Sequence, residues 1–298
     1  MNIVVLTGGL SSERDVSLVT GFEVANALTQ NGHKVILVDS YMGLDYVGTF
    51  HELYEEHKSK NYNFIISDFE PDLKLLKQES ENGEVLLGKN VLECCKTADV
   101  VFIALHGSIG EDGQLQALFN INNICYTGSG YVGSLLAMDK IISKKIMLSS
   151  NILTPEWNEI NIDKINKEEL YIKLKELTMP YIVKPCNGGS SAGITIVKIE
   201  SDITSAMQYA QTYEKQILIE KYINGREFSV GILEEKALPI LEIRPKESDF
   251  FDYKSKYQEG ITEEICPARI SEELTLRLME EAEKIHKELR LNDYSRID

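Results

Sequence analysis

A lysine beside a loop with little side-chain bulk can hold a phosphate, because the bare backbone N–H groups close over it while the ammonium neutralises charge. Tyr181 to Val197 has this form, reading Y-I-V-K-P-C-N-G-G-S-S-A-G-I-T-I-V. Ile182 and Val183 lead to Lys184. The loop Gly188 to Gly193 then carries Ser190 and Ser191, and Ile194 to Val197 returns. Strand, loop, strand predicts a hairpin. It is not the Walker pattern, in which Gly-Lys-Ser/Thr opens a helix. Taken alone, a Gly/Ser-rich hairpin is more often just a flexible turn; the lysine at its base and the partners elsewhere favour the phosphate.

Four other stretches carry chemistry. Gly8-Gly9-Leu10-Ser11-Ser12-Glu13-Arg14 follows the first strand and sets Glu13 and Ser17 at a helix start. His106, Glu111 and Asp112 share one glycine-rich loop after a strand. Lys140 and Lys144 lie four apart, so a helix puts both on one face: a solvated face, or lysines aimed at a phosphate. Phe250 to Tyr257 is aromatic and basic in an acidic chain, as a lid over a carboxylate-bearing ligand would be.

The elements that position these groups alternate. Ile3 to Leu6, a helix capped by Ser12 and stopped at Asn31-Gly32, and Lys34 to Val38 form a βαβ unit, hence a parallel sheet. The acid Asp39 after the second strand suggests a dinucleotide site, but Gly8-Gly9-Leu10-Ser11 lacks the G-x-G-x-x-G spacing. Residues 41–93 are acidic and tyrosine-rich and read as surface excursions without a chemical motif. Val100 to Leu105 and Ile124 to Tyr126 are predicted strands, and a helix beginning near Leu135 carries Lys140, Lys144 and Lys145. Further helices are predicted over Lys164 to Leu177 and Ser201 to Glu214. Strands follow at Ile217 to Ile223, Arg226 to Ile232 and Leu238 to Ile243, and Ser271 caps a last helix with Leu274, Leu278, Ile285 and Leu289 on one face. The end of the Ile217–Ile223 strand can present backbone groups to an adenine edge, with Glu220 and Glu227 free to accept hydrogen bonds.

With 298 residues the chain suggests two or three domains, and 43% hydrophobic with 26% charged residues is ordinary globular composition. A net charge of -16 with no basic cluster argues against nucleic-acid or anionic-membrane partners. Five cysteines without C-x-x-C spacing fit idle thiols in a reducing compartment. No basic region precedes a long apolar one at the N-terminus and no apolar run spans a bilayer, so a cytoplasmic enzyme is expected.

Seven motifs in order make the chain resemble the D-alanine–D-alanine ligases of the ATP-grasp superfamily. They are G-G-x-S-x-E-R-x-V-S, H-G-x-x-G-E-D-G, M-D-K, V-K-P with G-S-S-x-G, G-R-E-F-S-V, F-D-Y-x-x-K-Y and S-R-I-D. The resemblance implies an α/β, three-domain ATP-grasp fold: an N-terminal parallel-sheet substrate domain over 1–128, a central subdomain over 129–220 and a C-terminal one over 221–298. It implies ATP-dependent joining of two D-alanines through an acyl phosphate, for peptidoglycan. By position Lys140 and Lys184 would contact phosphates, Ser190 and Ser191 close the loop, and Glu220, Lys221, Tyr222, Ile223 and Glu227 hold adenosine. Glu13 would bind the first D-alanine's amino group with Ser17 in support, and His106 joins the substrate site. Lys256 and Tyr257 would cover the second substrate, Arg296 stabilise the oxyanion, and Asp298 bind Mg²⁺ or Mn²⁺. A homodimer is implied as well.

The family continues past the R-x-D strand to an E-x-N pair that completes a two-metal site, whereas this sequence stops at Asp298. A sequence cut short is the expectation. The alternatives are a D-Ala–D-Ser or D-Ala–D-lactate ligase of the vancomycin-resistance type, and a nucleotide-binding but inactive chain.

Overall fold

In a computed structural model, residues 1–58, 63–64, 71–189, 192–245 and 262–298 are described. The chain divides into two compact units, Met1–Leu135 and Leu136–Asp298.

The first unit contains β1 (Asn2–Thr7), α1 (Arg14–Gln30), β2 (Lys34–Asp39), α2 (Phe50–His57), α3 (Leu73–Glu79) and α4 (Val91–Lys96). It continues with β3 (Val100–Ile103), α5 (Ser108–Glu111), α6 (Gln114–Ile121) and α7 (Tyr131–Met138), within which the division falls. The sheet order is β2-β1-β3, all parallel, as the βαβ reading requires. Successive side chains point to opposite faces of a strand. Val4, Leu6, Ile36 and Val38 therefore enter one core with Phe50, Leu53, Val91, Leu115 and Phe119, while Ile3, Val5 and Val35 meet Ala25 of α1 on the other side.

Three expectations are corrected here. Residues 41–93 are not mere surface excursions: Tyr41 and Leu53 are fully buried, and α2 and α4 cover one face of the sheet. A parallel sheet must be covered on both faces, and these helices are too short for their sparse apolar positions to show a period. Ser12 does not cap α1, because the helix starts at Arg14 with Glu13 in the capping position and no side-chain bond. Ile124 to Tyr126 is not a regular strand: it pairs with the sheet through an isolated parallel bridge from Tyr126 to Val101.

The second unit runs through α8 (Lys140–Ser149), β4 (Trp157–Asn161), α9 (Lys167–Lys175), β5 (Tyr181–Pro185), β6 (Thr195–Val197), α10 (Ile203–Gln211) and β7 (Gln216–Lys221). Then come β8 (Glu227–Leu233), β9 (Lys236–Ala237), β10 (Leu241–Pro245), β11 (Thr262–Ile265), α12 (Glu272–Glu288) and β12 (Tyr294–Ile297). They form two antiparallel sheets, β4-β7-β5-β6 and β11-β10-β8-β12, with β9 beside β8. The predicted hairpin is present, with Tyr181 opposite Val197 and Val183 opposite Thr195.

The helix expected to run from Leu135 through Lys145 is broken. Asp139 takes an extended conformation and accepts hydrogen bonds from the backbone of Ile141 (2.9 Å) and Ile142 (3.0 Å), so it restarts the chain as the cap of α8. Likewise α9 begins only at Lys167, where Asn166 and Glu169 form a capping box, and the strand expected over Leu238 to Ile243 begins only at Leu241, as β10. Ser271 does cap α12, accepting from Leu274 N at 3.3 Å. Leu278, Met279 and Ala282 of that helix pack on Val230 and Ile232 of β8. Each fully buried aliphatic side chain of this kind contributes roughly 1.5–3 kcal/mol.

Candidate functional site

In the first unit, β1 and β3 are parallel neighbours, with Leu6 opposite Ile103. Their carboxyl ends therefore emerge side by side, and the loops after them must meet. They are stitched together by hydroxyls. Ser11 Oγ donates to His106 O (2.8 Å), and Glu13 N donates to Ser11 Oγ (3.2 Å). Ser17 Oγ donates to Glu13 O (3.1 Å) and accepts from His106 N (2.8 Å). Ser17 is fully buried, and its single hydroxyl proton is already engaged, so it positions Glu13 and His106. The His106 ring meets Thr20 Oγ1 through Nε2 at 3.0 Å. Glu13 is buried at 8% exposure, and a Cβ on Gly107 would stand 2.9 Å from its Oε2. With φ at +65° as well, position 107 suits glycine twice over.

Asp39 holds this loop from behind. Its carboxylate pairs with Arg14 and accepts from the backbone of Tyr41 (2.9 Å) and Met42 (3.1 Å), while Arg14 Nη1 donates to Gly9 O (2.8 Å). A Cβ on Gly8 would lie 2.4 Å from Asp39 Oδ2. The acid that resembled a ribose ligand is thus a latch for the glycine turn.

In the second unit, Ile182 lies opposite Glu220, which makes Lys184 and Glu220 diagonal neighbours on one face of β5 and β7. Lys184 Nζ pairs with Glu220 Oε1. Lys144 Nζ stands 2.9 Å from Oε2 of the same carboxylate, an ion pair without the alignment of a hydrogen bond. The side chain of Glu220 is therefore not free for adenosine, as the sequence suggested, but engaged by two lysines. Nor does Lys144 lie on a solvated face or point out at a phosphate. It is 7% exposed, donates to Thr154 Oγ1 (2.7 Å) and Pro155 O (2.9 Å), and sits 5.0 Å from the centre of the Trp157 ring. The i,i+4 lysine spacing was the only signal for it.

Lys140 reaches the hairpin loop, its Nζ donating to Gly188 O (2.6 Å) and Cys186 O (3.3 Å). Burial, aided by the nearby Lys184 charge, pulls its ammonium down to about 8. A lysine depressed in the folded state opposes folding while it is charged, so stability rises as pH climbs from about 8 towards the ordinary lysine value of 10.5. Glu214 fixes the other root of the loop, accepting from Asn187 N and Nδ2, both at 2.8 Å. Ser190 and Ser191 lie outside the described residues, as do Lys256 and Tyr257.

At the end of β7, Lys221 N donates to Glu156 O and Tyr222 N to Pro180 O, both at 2.9 Å, and the apolar side chain of Ile223 is 58% exposed. On β8, Glu227 and Ser229 lie on the face opposite the Val230 core. Ser229 Oγ donates to Asp298 Oδ1 (2.8 Å), and Arg296, opposite Gly231, donates from Nη2 to Asp298 Oδ2 (3.1 Å). Arg226 is turned away from this face by a fork onto the fully buried Glu242, both contacts at 2.7 Å. Arg226 and Arg244 hold that carboxyl down at about 2. Among the described residues no three His, Cys, Asp or Glu side chains gather as metal ligands, and no helix is long and apolar enough to cross a membrane.

Comparison with known proteins extends these observations over the whole chain. Residues 2–129 match the family described as D-ala D-ala ligase N-terminus, and residues 146–298 match D-ala D-ala ligase C-terminus. The D-alanine–D-alanine ligase of Lacticaseibacillus casei is 36% identical over 302 aligned residues, covering 100% of this chain and 82% of that protein. The crystal structure of the Bacillus anthracis D-alanine–D-alanine ligase complexed with ATP matches with a TM-score of 0.71 at 30% identity, covering 99% and 80% of the two chains. The VanG D-Ala:D-Ser ligase of Enterococcus faecalis matches with a TM-score of 0.68 at 27% identity, covering 99% and 84%.

Proposed function

Because the chain belongs to the D-alanine–D-alanine ligase family, we propose that it uses ATP to join two D-alanines into D-alanyl-D-alanine, a precursor of peptidoglycan. The observation that carries this reading is the lysine-rooted hairpin of the second unit, with Lys140 and Lys184 both at its base. A carboxylate is a poor acyl donor. Transfer of the γ-phosphoryl group to the first D-alanine forms a carboxyl O–P bond and releases ADP. The second D-alanine's amine then attacks the acyl carbon, and phosphate leaves with the C–O bond electrons. Spreading the phosphoryl charge is the work of preorganised cations, here Lys140 and Lys184.

The remaining roles follow the family pattern. Glu13 accepts hydrogen bonds from the first D-alanine's ammonium, with Ser17 and His106 fixing its loop. Lys221 to Ile223 and Glu227 hold adenosine, with the exposed Ile223 side chain as an apolar surface for the base. Ser190 and Ser191 close over the phosphates, Lys256 and Tyr257 cover the second substrate, and Arg296 faces the oxyanion. Asp298 is the carboxylate this region offers a magnesium ion, but Ser229 and Arg296 already occupy its two oxygens. A magnesium ion takes about six oxygens, of which Asp298 would supply at most two. A cytoplasmic homodimer completes the reading.

Phosphate release from ATP in the presence of D-alanine, with D-alanyl-D-alanine identified by mass, is the direct test. ATP binding without phosphate release would return the chain to a non-catalytic nucleotide binder. D-Serine and D-lactate offered in competition separate the related ligases, since preferential incorporation of either would replace D-alanine as second substrate. Glu13→Gln is expected to raise the KM for the first D-alanine about 10- to 100-fold, the worth of one charged hydrogen bond, with ATP affinity intact. An unchanged KM would remove Glu13 from the substrate site.

Lys140 gives a pH signature. Below pH 8 it is charged and ATP affinity is flat; above pH 8 the free protein loses the charge, and affinity falls by up to about tenfold per pH unit. Calorimetry in two buffers of different protonation enthalpy should show proton uptake on binding at pH 9. Lys140→Met should abolish both the uptake and the bend.

A further inference from the structure

The two lysines on Glu220 have unequal surroundings. Lys184 comes from the root of the hairpin and its side chain is 17% exposed, whereas Lys144 is 7% exposed and bound on its inner side to Thr154 Oγ1 and Pro155 O. Trp157 covers it, and Trp157 packs in turn with Ile141, Cys186 and Leu218. Lys144 therefore has no route to a nucleotide. Its ammonium nevertheless changes what Lys184 can do.

A lysine paired with a single buried carboxylate is a neutral couple and attracts a phosphate weakly. Two ammonium groups on one carboxylate leave the trio positive. Glu220 then fixes the direction of Lys184 without cancelling its charge. Removing Lys144 would leave Glu220 Oε2 with no cation beside it in a buried site, where an unpaired charge is costly. The carboxylate would then hold Lys184 more strongly, in competition with any phosphate.

We infer that Lys144 is a positioning residue for nucleotide binding: from the interior it neutralises Glu220, so that Lys184, held by the same carboxylate, keeps its charge for a phosphate. The inference rests on the proposed role of Lys184 and deepens it.

The experiment is a double-mutant cycle read by ATP titration calorimetry and by steady-state kinetics. Lys144→Met should weaken ATP binding about tenfold or more and raise the KM for ATP, leaving the KM for D-alanine unchanged. In a Glu220→Gln background, where there is no negative charge to neutralise, the same substitution should leave ATP affinity unchanged. Equal losses in the two backgrounds, or no loss in either, would overturn the inference, because packing alone moves both alike. Should Lys144→Met fail to fold, two comparisons remain. Lys144→Arg, which keeps the charge, should retain ATP affinity, and Glu220→Gln should match Glu220→Gln/Lys144→Met; a loss in either comparison overturns the inference. If the unsubstituted chain does not bind ATP, or Lys184→Met binds it normally, the nucleotide reading itself falls instead.

Discussion

Arg296→Met is expected to lower kcat by roughly 10²- to 10³-fold, the usual effect of removing one oxyanion donor, while ATP affinity stays as it was. The strand makes the prediction specific. Ile297 is packed in the core with Val230, so its neighbour Arg296 must point to the opposite face of β12. A slip of one residue would send the guanidinium into the core and is excluded by that packing. Opposite Arg296 stands Gly231, which offers no side chain to crowd it. The Arg296 side chain is 71% exposed and pairs with Asp298, so its truncation should cost little stability. Arg296→Lys keeps the charge without the planar fork and should recover only part of the rate. A kcat unchanged in Arg296→Met, measured at saturating ATP and D-alanine, would take the oxyanion role away from this residue.

Lys184→Met is expected to weaken ATP binding by about 10- to 100-fold, corresponding to a charged hydrogen bond worth roughly 1.5–3 kcal/mol. The lysine sits on β5 between two neighbouring strands, with Leu218 of β7 opposite it, so the substitution should leave the sheet intact. Glu220 would lose one of its two lysines but keep Lys144. A melting curve checks the fold and titration calorimetry the affinity. Unaltered ATP affinity in a folded variant would remove the hairpin lysine from the nucleotide site.

Several elements were legible because their causes are local. The hairpin at 181–197, the first βαβ unit and the Ser271 cap each follow from period, turn residues or a side chain bonding its own backbone nearby. Chemistry-bearing residues were legible for a related reason. Glu13, Ser17 and His106 stand just after parallel strands, and loops there are drawn together by the sheet that ends beneath them.

What the sequence concealed was decided by partners distant along the chain. Asp139 is the exception, a local cause that was missed: its carboxylate caps the backbone N–H groups of Ile141 and Ile142, although the surrounding residues would equally suit an unbroken helix. Ser12 has the chemistry of a cap but stands one turn position too early, since the loop is held by Arg14 on Asp39, 25 residues away. Among the described residues of 41–93, Phe50, Leu53 and Val91 pack against a sheet whose strands lie before and after the segment, so no pattern within the segment announces it. Glu220 is the sharpest case. From the sequence alone it is a free acceptor at a strand end, and only pairing of β5 with β7 puts Lys184 beside it from 36 residues away. Residue types and their order thus determined which chemistry this chain carries and in which family it stands. Tertiary structure decided which charges meet, because an ion pair depends on distance in space, and distance in space is set by strand register and burial.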